Sequence, residues 1–459
     1  MSEKYRRIRH NVLLPADLRP SGGARYLARR PMADLRSFIR EQELHGRVIR
    51  LHEEFDRMAE AGQALAAHEG RIVVLERVRG TSVKVVGGML SSRELVAAAL
   101  GCSRQEYVER LASAIEDPRP VTRIAEAPFL SGGCCSDDVS VVPMLTFVPG
   151  ARRPYTSSSI IAARSARYGM NLSFHRMMYL GHNRFSVRVV PRHLRMILDE
   201  QGSAEVAVLL GVHPAVSLAA ATSATREFSE LEMASALMGG LEVVDLDGLE
   251  VPAHTEIVLC GRLTSEQAEE GPFVDLTGTL DGVRHQPVLE VTAVYCRPDF
   301  LYHTIVPGGL EHKLLMGCPQ EPRMARAVSN AVPCPARVVL TEGGSHWLHA
   351  VISLSGPRPG QARNAALAAL GAHPSLKRVV VVDDDIDPEN AQHVEWAIAT
   401  RVRPAEDVLI LPGCRGSSLD PSRNPGDDTT SKWVIDATLP PHADRSRFVR
   451  ADAPPEAEE

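Results

Sequence analysis

The middle of this chain, from about residue 126 to 320, is a succession of short segments rich in β-branched residues. Residues 184–190 alternate polar and apolar side chains, and residues 256–259 and 288–294 are further apolar runs of strand length. Alternation with a period of two is typical of a strand that buries one face, as in an antiparallel sheet or a barrel. We therefore expect an antiparallel sheet or barrel at the centre of the fold.

Both regions that flank this middle part mix helices with strands. Residues 35–44 show an amphipathic pattern typical of a helix, and residues 71–75 and 83–86 have the composition of short strands. Near the other end, a helix-like segment at 362–370 precedes the apolar run 379–382. That run ends in aspartates, which is typical of a buried parallel strand that carries polar groups at its carboxyl end.

The 459 residues exceed the usual size of one domain, so we expect a chain of several parts and the α/β (mixed α+β) fold class. The expected parts are a basic arm (1–33), an N-terminal α/β domain (34–125), a strand-rich central domain (126–320), a C-terminal α/β domain (321–442) and an acidic tail (443–459). The arm is rich in arginine but lacks the apolar core of a secretory signal. The tail is rich in glutamate and proline, a composition typical of disorder.

Composition excludes several classes of partner. The net charge of −6 argues against a general nucleic-acid binder, which usually has a basic excess. No apolar run approaches the roughly 20 residues that cross a bilayer, so we expect no membrane partner. The cysteines show no CxxC spacing, which fits reduced thiols in a cytoplasmic protein better than disulfides or a zinc site. The adjacent Cys134 and Cys135 permit a redox role, but burial is the more frequent explanation.

Several familiar catalytic motifs are absent. The sequence contains no GxxxxGK[ST] loop, no GxGxxG, no HExxH and no GxSxG. Nucleotide hydrolysis, dinucleotide binding and serine hydrolysis therefore lack their signatures.

Three polar clusters in the strand-rich middle are the candidates for chemistry. The first is the segment 170–176, which is followed by Arg192 and His193. The second contains Glu230 at the start of a helical pattern, and the third is the segment 269–278. Each has an ordinary structural explanation when taken alone, as a turn, a core histidine or a carboxylate at a helix start.

Asn171, His193 and Glu230 together offer one amide oxygen, one imidazole and one carboxylate. Such a set suits a hard divalent cation that bridges a phosphate. Glu232 is a rival carboxylate, but residues two positions apart on a helix face different directions. We therefore predict Glu230 as the ligand.

One arginine and two carboxylates form a second combination. Glu270 and Asp275 lie five residues apart, with Gly271 and Pro272 between them, so both carboxylates can face one pocket across a turn. Arg176 placed between them would keep one ionised and leave the other free to titrate, as acid–base catalysis requires.

The order of these elements resembles the UbiD-like decarboxylase family. The family's Asn-x-x-x-x-Arg element is similar to residues 171–176, its Arg-His pair to 192–193, and its Glu-Gly-Pro signature to 270–275. Further similar segments are Ser229 and Glu230 with 234–239, residues 251–259, residues 382–387, Trp396 and Ala397 with Thr400 and Arg401, and Lys432 with 435–438. The resemblance covers roughly residues 34 to 440 in the family's order, so the chain is identified as a member.

The resemblance implies that the central domain is a split β-barrel that binds prenylated flavin mononucleotide (prenylated FMN), in a homodimer or higher homo-oligomer. It also implies a divalent cation, Mn²⁺ or Mg²⁺, and K⁺ as an additional cation, with Asn171, His193 and Glu230 as ligands of the divalent ion. The residues expected at the cofactor are Asn171, Ser173, Phe174, His175, Arg176, Arg192, His193, Glu230 and Lys432. A flavin prenyltransferase would supply the cofactor.

The reaction implied by the resemblance is the reversible, non-oxidative loss of CO₂ from an aromatic, heteroaromatic or α,β-unsaturated acid. Asp275 is assigned as the proton donor, with Glu270 as its partner through Arg176, and Arg176 also as a clamp for the substrate carboxylate. The cofactor accepts the electron pair that the departing CO₂ leaves behind. An aromatic acid is the first expectation for the substrate and an unsaturated intermediate the second, in a pocket lined by residues 304–316.

Three residues depart from the family's pattern, and two other functions stay open. Val274 stands where the family has a small glycine, so an altered substrate size is expected. Ser235 replaces a helix glycine, and Asp275 stands where the family more often has glutamate. One alternative is a catalytically silent partner subunit of a decarboxylase complex, which the retained Arg176, Glu270 and Asp275 disfavour. The other is an ordinary flavin oxidoreductase, which the set of metal ligands disfavours.

Overall fold

The computed structural model describes residues 34–130, 135–147, 153–222, 228–440 and 443–448. The described residues do not include the predicted basic arm or the tail beyond residue 448. Cys134 and the side chain of Cys135 also lie outside them. None of the other six cysteines, all of which are described, forms a disulfide. In this described part, no helix combines the length and the apolar character that crossing a membrane needs.

The described segments contain twelve α-helices and 23 strands, labelled in chain order. The helices are α1 (Leu35–Leu44), α2 (Glu60–Ala66), α3 (Arg93–Ala99), α4 (Tyr107–Glu116), α5 (His193–Gln201), α6 (Pro214–Ala221), α7 (Glu230–Met238), α8 (Leu310–Gly317), α9 (Glu321–Ala331), α10 (Gln361–Ala372), α11 (Ala391–Arg401) and α12 (Pro404–Asp407). The strands are β1 (Val48–Phe55), β2 (Ile72–Val78), β3 (Lys84–Gly87), β4 (Thr122–Arg123), β5 (Cys135–Ser136), β6 (Tyr155–Thr156), β7 (Ile160–Ser165), β8 (Gly169–Phe174), β9 (Met177–Gly181), β10 (Arg184–Val187), β11 (Ala204–Leu210), β12 (Glu242–Leu246), β13 (Leu249–Pro252), β14 (Ile257–Glu270), β15 (Phe273–Val274), β16 (Leu280–Asp281), β17 (Arg284–Cys296), β18 (Leu301–His303), β19 (Ala336–Leu340), β20 (His349–Leu354), β21 (Arg378–Asp383), β22 (Val408–Arg415) and β23 (Thr429–Asp436).

The N-terminal region contains the predicted helix α1 and the predicted strands β2 and β3. Helix α1 starts at a capping box, in which Asp34 accepts from the N–H of Ser37 at 2.8 Å and the Ser37 hydroxyl binds back. Asp34 also accepts from Arg297 at 2.8 Å, which ties the helix start to the end of β17. Strands β1, β2, β3 and β18 form one sheet, so the middle of the chain contributes a strand to the N-terminal sheet.

The central sheet has the strand order β6-β9-β10-β17-β14-β11-β7-β8, with β5 paired to β17. All these pairings are antiparallel, as predicted from the alternating pattern. Strands β14 and β17 are long and shift register twice, which bends the sheet. The described pairings form an open path from β6 to β8, so closure into a split barrel stays a prediction.

The C-terminal sheet has the order β19-β20-β21-β23-β22. Strand β21 pairs in parallel with β20 and β23 and is buried along almost its whole length, which confirms the predicted parallel strand. It ends at Asp383, whose carboxylate accepts from the N–H of Leu439 at 2.6 Å and contacts Arg401 at 3.4 Å.

A buried ion pair joins the N-terminal and C-terminal parts of the fold. Arg93 of α3 donates to Glu321 of α9 at 2.7 and 2.9 Å, and the two side chains are 6% and 0% exposed. Glu321 also accepts from the N–H of Leu340 at 2.9 Å. A charge this deeply buried is tolerated only when it is paired, so the contact fixes how α3 meets α9. The described residues belong to one compact unit, and the predicted domain boundaries stay predictions.

Candidate active site

Arg176 and Glu270 form the buried centre of the site. Arg176 lies between β8 and β9, and Glu270 is the last residue of β14. The Nε and Nη2 atoms of Arg176 donate to the two carboxylate oxygens of Glu270 at 2.9 and 3.0 Å. The Glu270 side chain is fully buried and that of Arg176 is 10% exposed. Two-point contact of this kind is the strongest geometry for an arginine–carboxylate pair.

Two aspartates complete the surroundings of Arg176. Its Nη1 atom donates to Asp275 Oδ2 at 3.4 Å, and its Nη2 atom donates to Asp281 Oδ2 at 2.7 Å. Asp275 follows β15 and Asp281 ends β16, so one short hairpin carries both. Glu270 and Asp275 therefore meet at Arg176, and Asp281 is an additional carboxylate that sequence reasoning missed.

The three carboxylates around Arg176 differ in the hydrogen bonds that they receive. Burial acts to raise the pKa of Asp281, but hydrogen bonds from Arg284 and Arg176 outweigh it and hold that pKa below its ordinary value. Asp275 Oδ1 accepts from the N–H of Leu276 at 2.7 Å, and Oδ2 has the long contact of 3.4 Å with Arg176. Asp275 is consequently the carboxylate that Arg176 binds least tightly.

An aromatic pair encloses the Arg176–Glu270 contact. The Tyr155 hydroxyl donates to Glu270 at 3.2 Å and accepts from the N–H of Gly271 at 3.1 Å. Burial and the charge of Glu270 raise the pKa of Tyr155, so its hydroxyl stays a donor. The Phe273 ring lies 4.4 Å from the guanidinium carbon of Arg176, a cation–π distance.

Asn171 and Glu230 form a second buried cluster. Asn171 is on β8, and Glu230 is the first residue of α7, which Ser229 caps. Nδ2 of Asn171 donates to Glu230 Oε1 at 3.3 Å, and the N–H of Leu172 donates to Oε2 at 3.1 Å. Within the described ranges, no lysine or arginine pairs with Glu230. Burial accordingly raises the pKa of Glu230 to about 7.

Hydrogen bonding along β8 leaves the Asn171 side-chain oxygen available to a cation. The Ser173 hydroxyl lies 3.0 Å from Asn171 Oδ1 and 2.9 Å from His175 Nε2. Burial lowers the pKa of His175 to about 4, and Nδ1 of this neutral ring donates to the carbonyl oxygen of Arg188 at 2.8 Å, so Nε2 is an acceptor. When the single hydroxyl proton of Ser173 goes to His175, Asn171 keeps its lone pairs, and the two ligands fit a hard divalent cation.

His193, the third predicted ligand, begins α5 and hydrogen bonds elsewhere. Its Nε2 atom lies 3.0 Å from the carbonyl oxygen of Tyr168, and the two rings meet edge to face. Tyr168 lies in the turn before β8, three residues before Asn171. Across the described ranges, no three histidine, cysteine, aspartate or glutamate side chains converge as metal ligands would. A metal shell that includes His193 therefore stays a prediction.

Phe174 ends β8 next to Ser173. It pairs with Ile160 of β7, and its ring packs against the largest core cluster. Because side chains alternate along a strand, Phe174 and Ser173 lie on opposite faces of the sheet.

Lys432 is on β23 of the C-terminal sheet, where its Nζ atom donates to the carbonyl oxygen of Pro374 at 2.5 Å. Burial lowers the pKa of Lys432. Burial, and then the charges of Arg323, Lys432 and Arg192, lower the pKa of His373 to about 4. Lys432 and Arg192 thus both lie close enough to His373 for their charges to affect its pKa. Their contact with a cofactor stays a prediction.

The segment 304–316, where pocket-lining residues were predicted, lies beside Val274 and the backbone of Asp275. A Cβ atom at Gly308 would lie 3.0 Å from the carbonyl oxygen of Asp275 and 3.1 Å from Cγ1 of Val274. The N–H of Gly308 donates to Nδ1 of His312 at 3.1 Å, and burial lowers the pKa of that histidine to about 4. Val274, which replaces the family's glycine, therefore lies beside this segment.

Sequence reasoning missed Asp281, Tyr155 and Arg188 as residues of the site. Asp281 lies on a strand of two residues, and Tyr155 is distant in sequence from Glu270. No motif marks them, because their proximity depends on the strand register. Only the pairing of β9 with β10 shows that Arg188 lies near Arg176.

Three family models match the chain and together span most of it. They are the N-terminal, Rift-related and C-terminal domains of 3-octaprenyl-4-hydroxybenzoate carboxy-lyase, and they match residues 39–115, 129–310 and 313–437 respectively. Anhydromevalonate phosphate decarboxylase of Methanothermobacter thermautotrophicus is 44% identical over 390 residues, which are 83% of this chain and 91% of that protein.

Solved structures of the UbiD class are also similar. HmfF from Pelotomaculum thermopropionicum in complex with FMN superposes with a TM-score of 0.87 at 36% identity, over 92% of this chain and 97% of that one. An evolved dimeric form of the same enzyme, in complex with prenylated FMN, has a TM-score of 0.83 at 34% identity with the same coverage. With the Arg176 network in place, these matches show that the chain is a decarboxylase and belongs to the UbiD family of carboxy-lyases.

Proposed function

We propose that this enzyme uses prenylated FMN and a divalent cation to decarboxylate an α,β-unsaturated acid that carries a phosphate group. The observation that carries the proposal is the Arg176 network, in which a buried arginine holds Glu270 at two points and Asp275 at one. Such a network provides a fixed anion beside a carboxyl group that can be protonated.

Asn171 and Glu230 are the residues that would hold the cation against the cofactor phosphate. Glu230 supports this role because it is a buried carboxylate that only N–H groups contact among the described residues. His193 would join them by exchanging its bond with Tyr168 for the cation, and Lys432 and Arg192 would approach the phosphate. When bound, the prenylated flavin supplies the sink for the electron pair of the departing carboxylate.

Asp275 is the proposed proton donor. Glu270 receives two hydrogen bonds from Arg176 and one from Tyr155, so a proton on Glu270 would break the strongest pair of the site. Asp275 loses only one long contact with Arg176 when it is protonated. The proton passes from the Asp275 carboxyl group to the carbon that loses CO₂, and Asp275 returns to the carboxylate form.

The similarity to anhydromevalonate phosphate decarboxylase at 44% identity supports the proposed substrate class. That name describes a non-aromatic phosphate ester, so the expected aromatic substrate becomes the alternative and the unsaturated acid the first candidate. Val274 supports a changed pocket, because it occupies space beside Gly308 that a glycine would leave open.

The proposal also covers the source of the cofactor and the oligomeric state of the enzyme. A flavin prenyltransferase would provide the cofactor, and a homodimer or higher homo-oligomer would be the working form, as the dimeric form of HmfF suggests for that enzyme. Mn²⁺ or Mg²⁺ would be the divalent ion, with K⁺ beside it.

The test is CO₂ release from anhydromevalonate phosphate and from a panel of aromatic acids. Protein made together with a flavin prenyltransferase should decarboxylate the phosphate ester and show a flavin absorbance. Protein made without the prenyltransferase should be inactive, and equal activity of the two preparations would reject the cofactor. NAD(P)H oxidation without CO₂ release would indicate a flavin oxidoreductase, and protein without flavin or activity would indicate a silent partner subunit.

A further inference from the structure

Arg188 lies directly opposite Arg176 at the open end of the β9–β10 hairpin. Met177 pairs with Val187, and one position further the N–H of Arg188 donates to the carbonyl oxygen of Arg176 at 3.1 Å. Directly opposite residues of antiparallel strands project from the same face, with Cβ atoms about 5 Å apart. The strand register therefore brings two guanidinium groups to one face of the sheet.

Like charges in this position are destabilising unless anions compensate them. Arg176 is compensated by three carboxylates. Arg188 is half-buried, and among the described residues no carboxylate pairs with its guanidinium group and no acceptor hydrogen bonds to it. One arginine of the pair is thus satisfied by the protein, and the other is not.

The electrostatic surroundings of Arg188 place it in the same cluster. Burial and the positive charges of Arg284 and Arg176 lower the pKa of Arg188, whereas the charges of Asp281 and Glu270 raise it. These are the groups around Arg176, so an anion that approaches Arg188 enters the candidate active site.

The backbone of Arg188 is held on both sides. Its carbonyl oxygen accepts from His175 Nδ1 at 2.8 Å, and the N–H of Val189 donates to Gln286 at 2.8 Å. The side chain therefore starts from a fixed point, which lowers the entropy lost when it binds a ligand.

Charge balance shows what the cluster accepts. Its arginines are Arg176, Arg188 and Arg284, and its carboxylates are Glu270, Asp275 and Asp281. When Asp275 carries the proton that it donates, the cluster has one positive charge in excess. A single carboxylate restores neutrality.

We propose that Arg188, and not Arg176, binds the carboxylate group of the substrate. This deepens the proposed function and rests on it. The nitrogens of Arg176 already donate to Glu270, Asp275 and Asp281, so a substrate carboxylate there would displace a protein carboxylate. At Arg188 it displaces none.

Charge is conserved through the reaction. When the bond to the carboxyl carbon breaks, the electron pair stays with the substrate carbon and CO₂ leaves as a neutral molecule. The proton of Asp275 then forms the new C–H bond, which turns Asp275 into an anion. The anion that Arg188 held is replaced by the Asp275 anion, so the product keeps no carboxylate at Arg188 and dissociates.

The experiment compares an acid with its uncharged analogue. The probes are 3-methylbut-2-enoate and its primary amide, with binding to flavin-loaded protein measured by calorimetry. Arg188→Met removes the charge and keeps the length, and Arg188→Lys keeps the charge. Arg184→Met is the matched control, because Arg184 is on the same hairpin but pairs with Glu266 at the surface.

Wild-type protein should bind the acid more tightly than the amide. Arg188→Met should weaken acid binding about 10- to 100-fold and leave amide binding and flavin content unchanged, as expected for one charge-assisted contact. Arg188→Lys should retain most acid binding, and Arg184→Met should match the wild type.

Three results would overturn the inference. Loss of flavin from Arg188→Met alone would assign Arg188 to the cofactor, and equal weakening of acid and amide would show a merely structural role. If the wild-type protein does not bind the acid more tightly than the amide, Arg188 does not bind a carboxylate, whether or not the enzyme releases CO₂. CO₂ release itself tests the proposed function, so the two failures are distinguishable.

Discussion

Glu270 and Glu230 are both buried carboxylates of the candidate active site, but the protein compensates only one of them. Glu270 is fully buried and receives two hydrogen bonds from Arg176. Glu230 is 8% exposed and receives hydrogen bonds from an amide side chain and a backbone N–H. Burial raises the pKa of Glu230 to about 7.

The difference shows which part of the site is complete within the chain. A buried carboxylate is costly unless it is paired with a cation or becomes neutral. Glu270 obtains its cation, Arg176, when the chain folds, and this pair is the proposed acid–base half of the site. Glu230 has no lysine or arginine partner among the described residues, so in the proposed function a divalent cation from outside the chain completes the proposed cofactor half.

The largest expected effect comes from removing Arg176, the positive charge that pairs with Glu270. Arg176→Met leaves Glu270 buried without a charged partner, which should lower the free energy of unfolding by about 3–5 kcal/mol and abolish CO₂ release. Urea unfolding and the CO₂ assay measure the two effects. The double variant Arg176→Met with Glu270→Gln should recover part of the stability but no activity. A single variant as stable as the wild type would contradict the pairing.

Asp275→Asn tests the proton donor in the same half. The amide keeps the shape but cannot donate the proton, so turnover should fall by about 10²-fold or more while flavin is retained. Asp275→Glu should keep measurable activity with a shifted substrate preference, because the carboxyl group moves by one methylene. Near-normal turnover in a folded, flavin-loaded Asp275→Asn protein would move the acid role to Glu270.

Glu230→Gln should raise the free energy of unfolding, whereas Arg176→Met should lower it. It removes an uncompensated buried charge, so the metal-free variant should be more stable than the metal-free wild type by about 1–3 kcal/mol. It should also lose the divalent cation and most of the flavin, measured by metal analysis and absorbance. Glu232→Gln is the control and should keep both. If instead Glu232→Gln empties the site and Glu230→Gln does not, the ligand is Glu232.

Asp281→Asn should have the smallest effect, visible in the pH dependence of stability. The pKa of Asp281 is held below its ordinary value of 3.8, so the folded state favours the ionised form. The resulting stability is present above pH 3.8 and is lost as the pH falls below it. The difference in unfolding free energy between wild type and variant should therefore shrink on acidification. A difference that stays constant from pH 7 to pH 3 would show that Asp281 makes no charge-dependent contribution.

Local pattern was sufficient for most elements near the site. Alternation predicted strand β10, the composition of residues 288–294 predicted a strand that lies within β17, and the apolar run 379–382 predicted the buried parallel strand β21. The order of the family's motifs also predicted that Arg176, Glu270 and Asp275 lie together, and these side chains do meet, while their catalytic roles stay a prediction. The strand predictions succeed because residue spacing along one strand sets which face a side chain occupies.

Predictions that required several elements to meet were less complete. Asp281 joins Arg176 through a hairpin whose strands are too short to leave a pattern. His193 begins α5, and its ring bonds to Tyr168 instead of joining Asn171 and Glu230. Neither contact can be derived from spacing, because each depends on how separate segments approach in space.

The sequence by itself determined the strand-rich centre, the family and the candidate residues Arg176, Glu270 and Asp275, because these depend on local alternation and on short motifs. The tertiary structure decided how the charges are shared. Register alone places Arg188 opposite Arg176, and the hairpin of β15 and β16 alone brings Asp281 to the same guanidinium group. Electrostatic energy depends on distance and burial, which a linear sequence does not contain, so only the folded chain shows which buried charges are paired and which have no charged partner among the described residues.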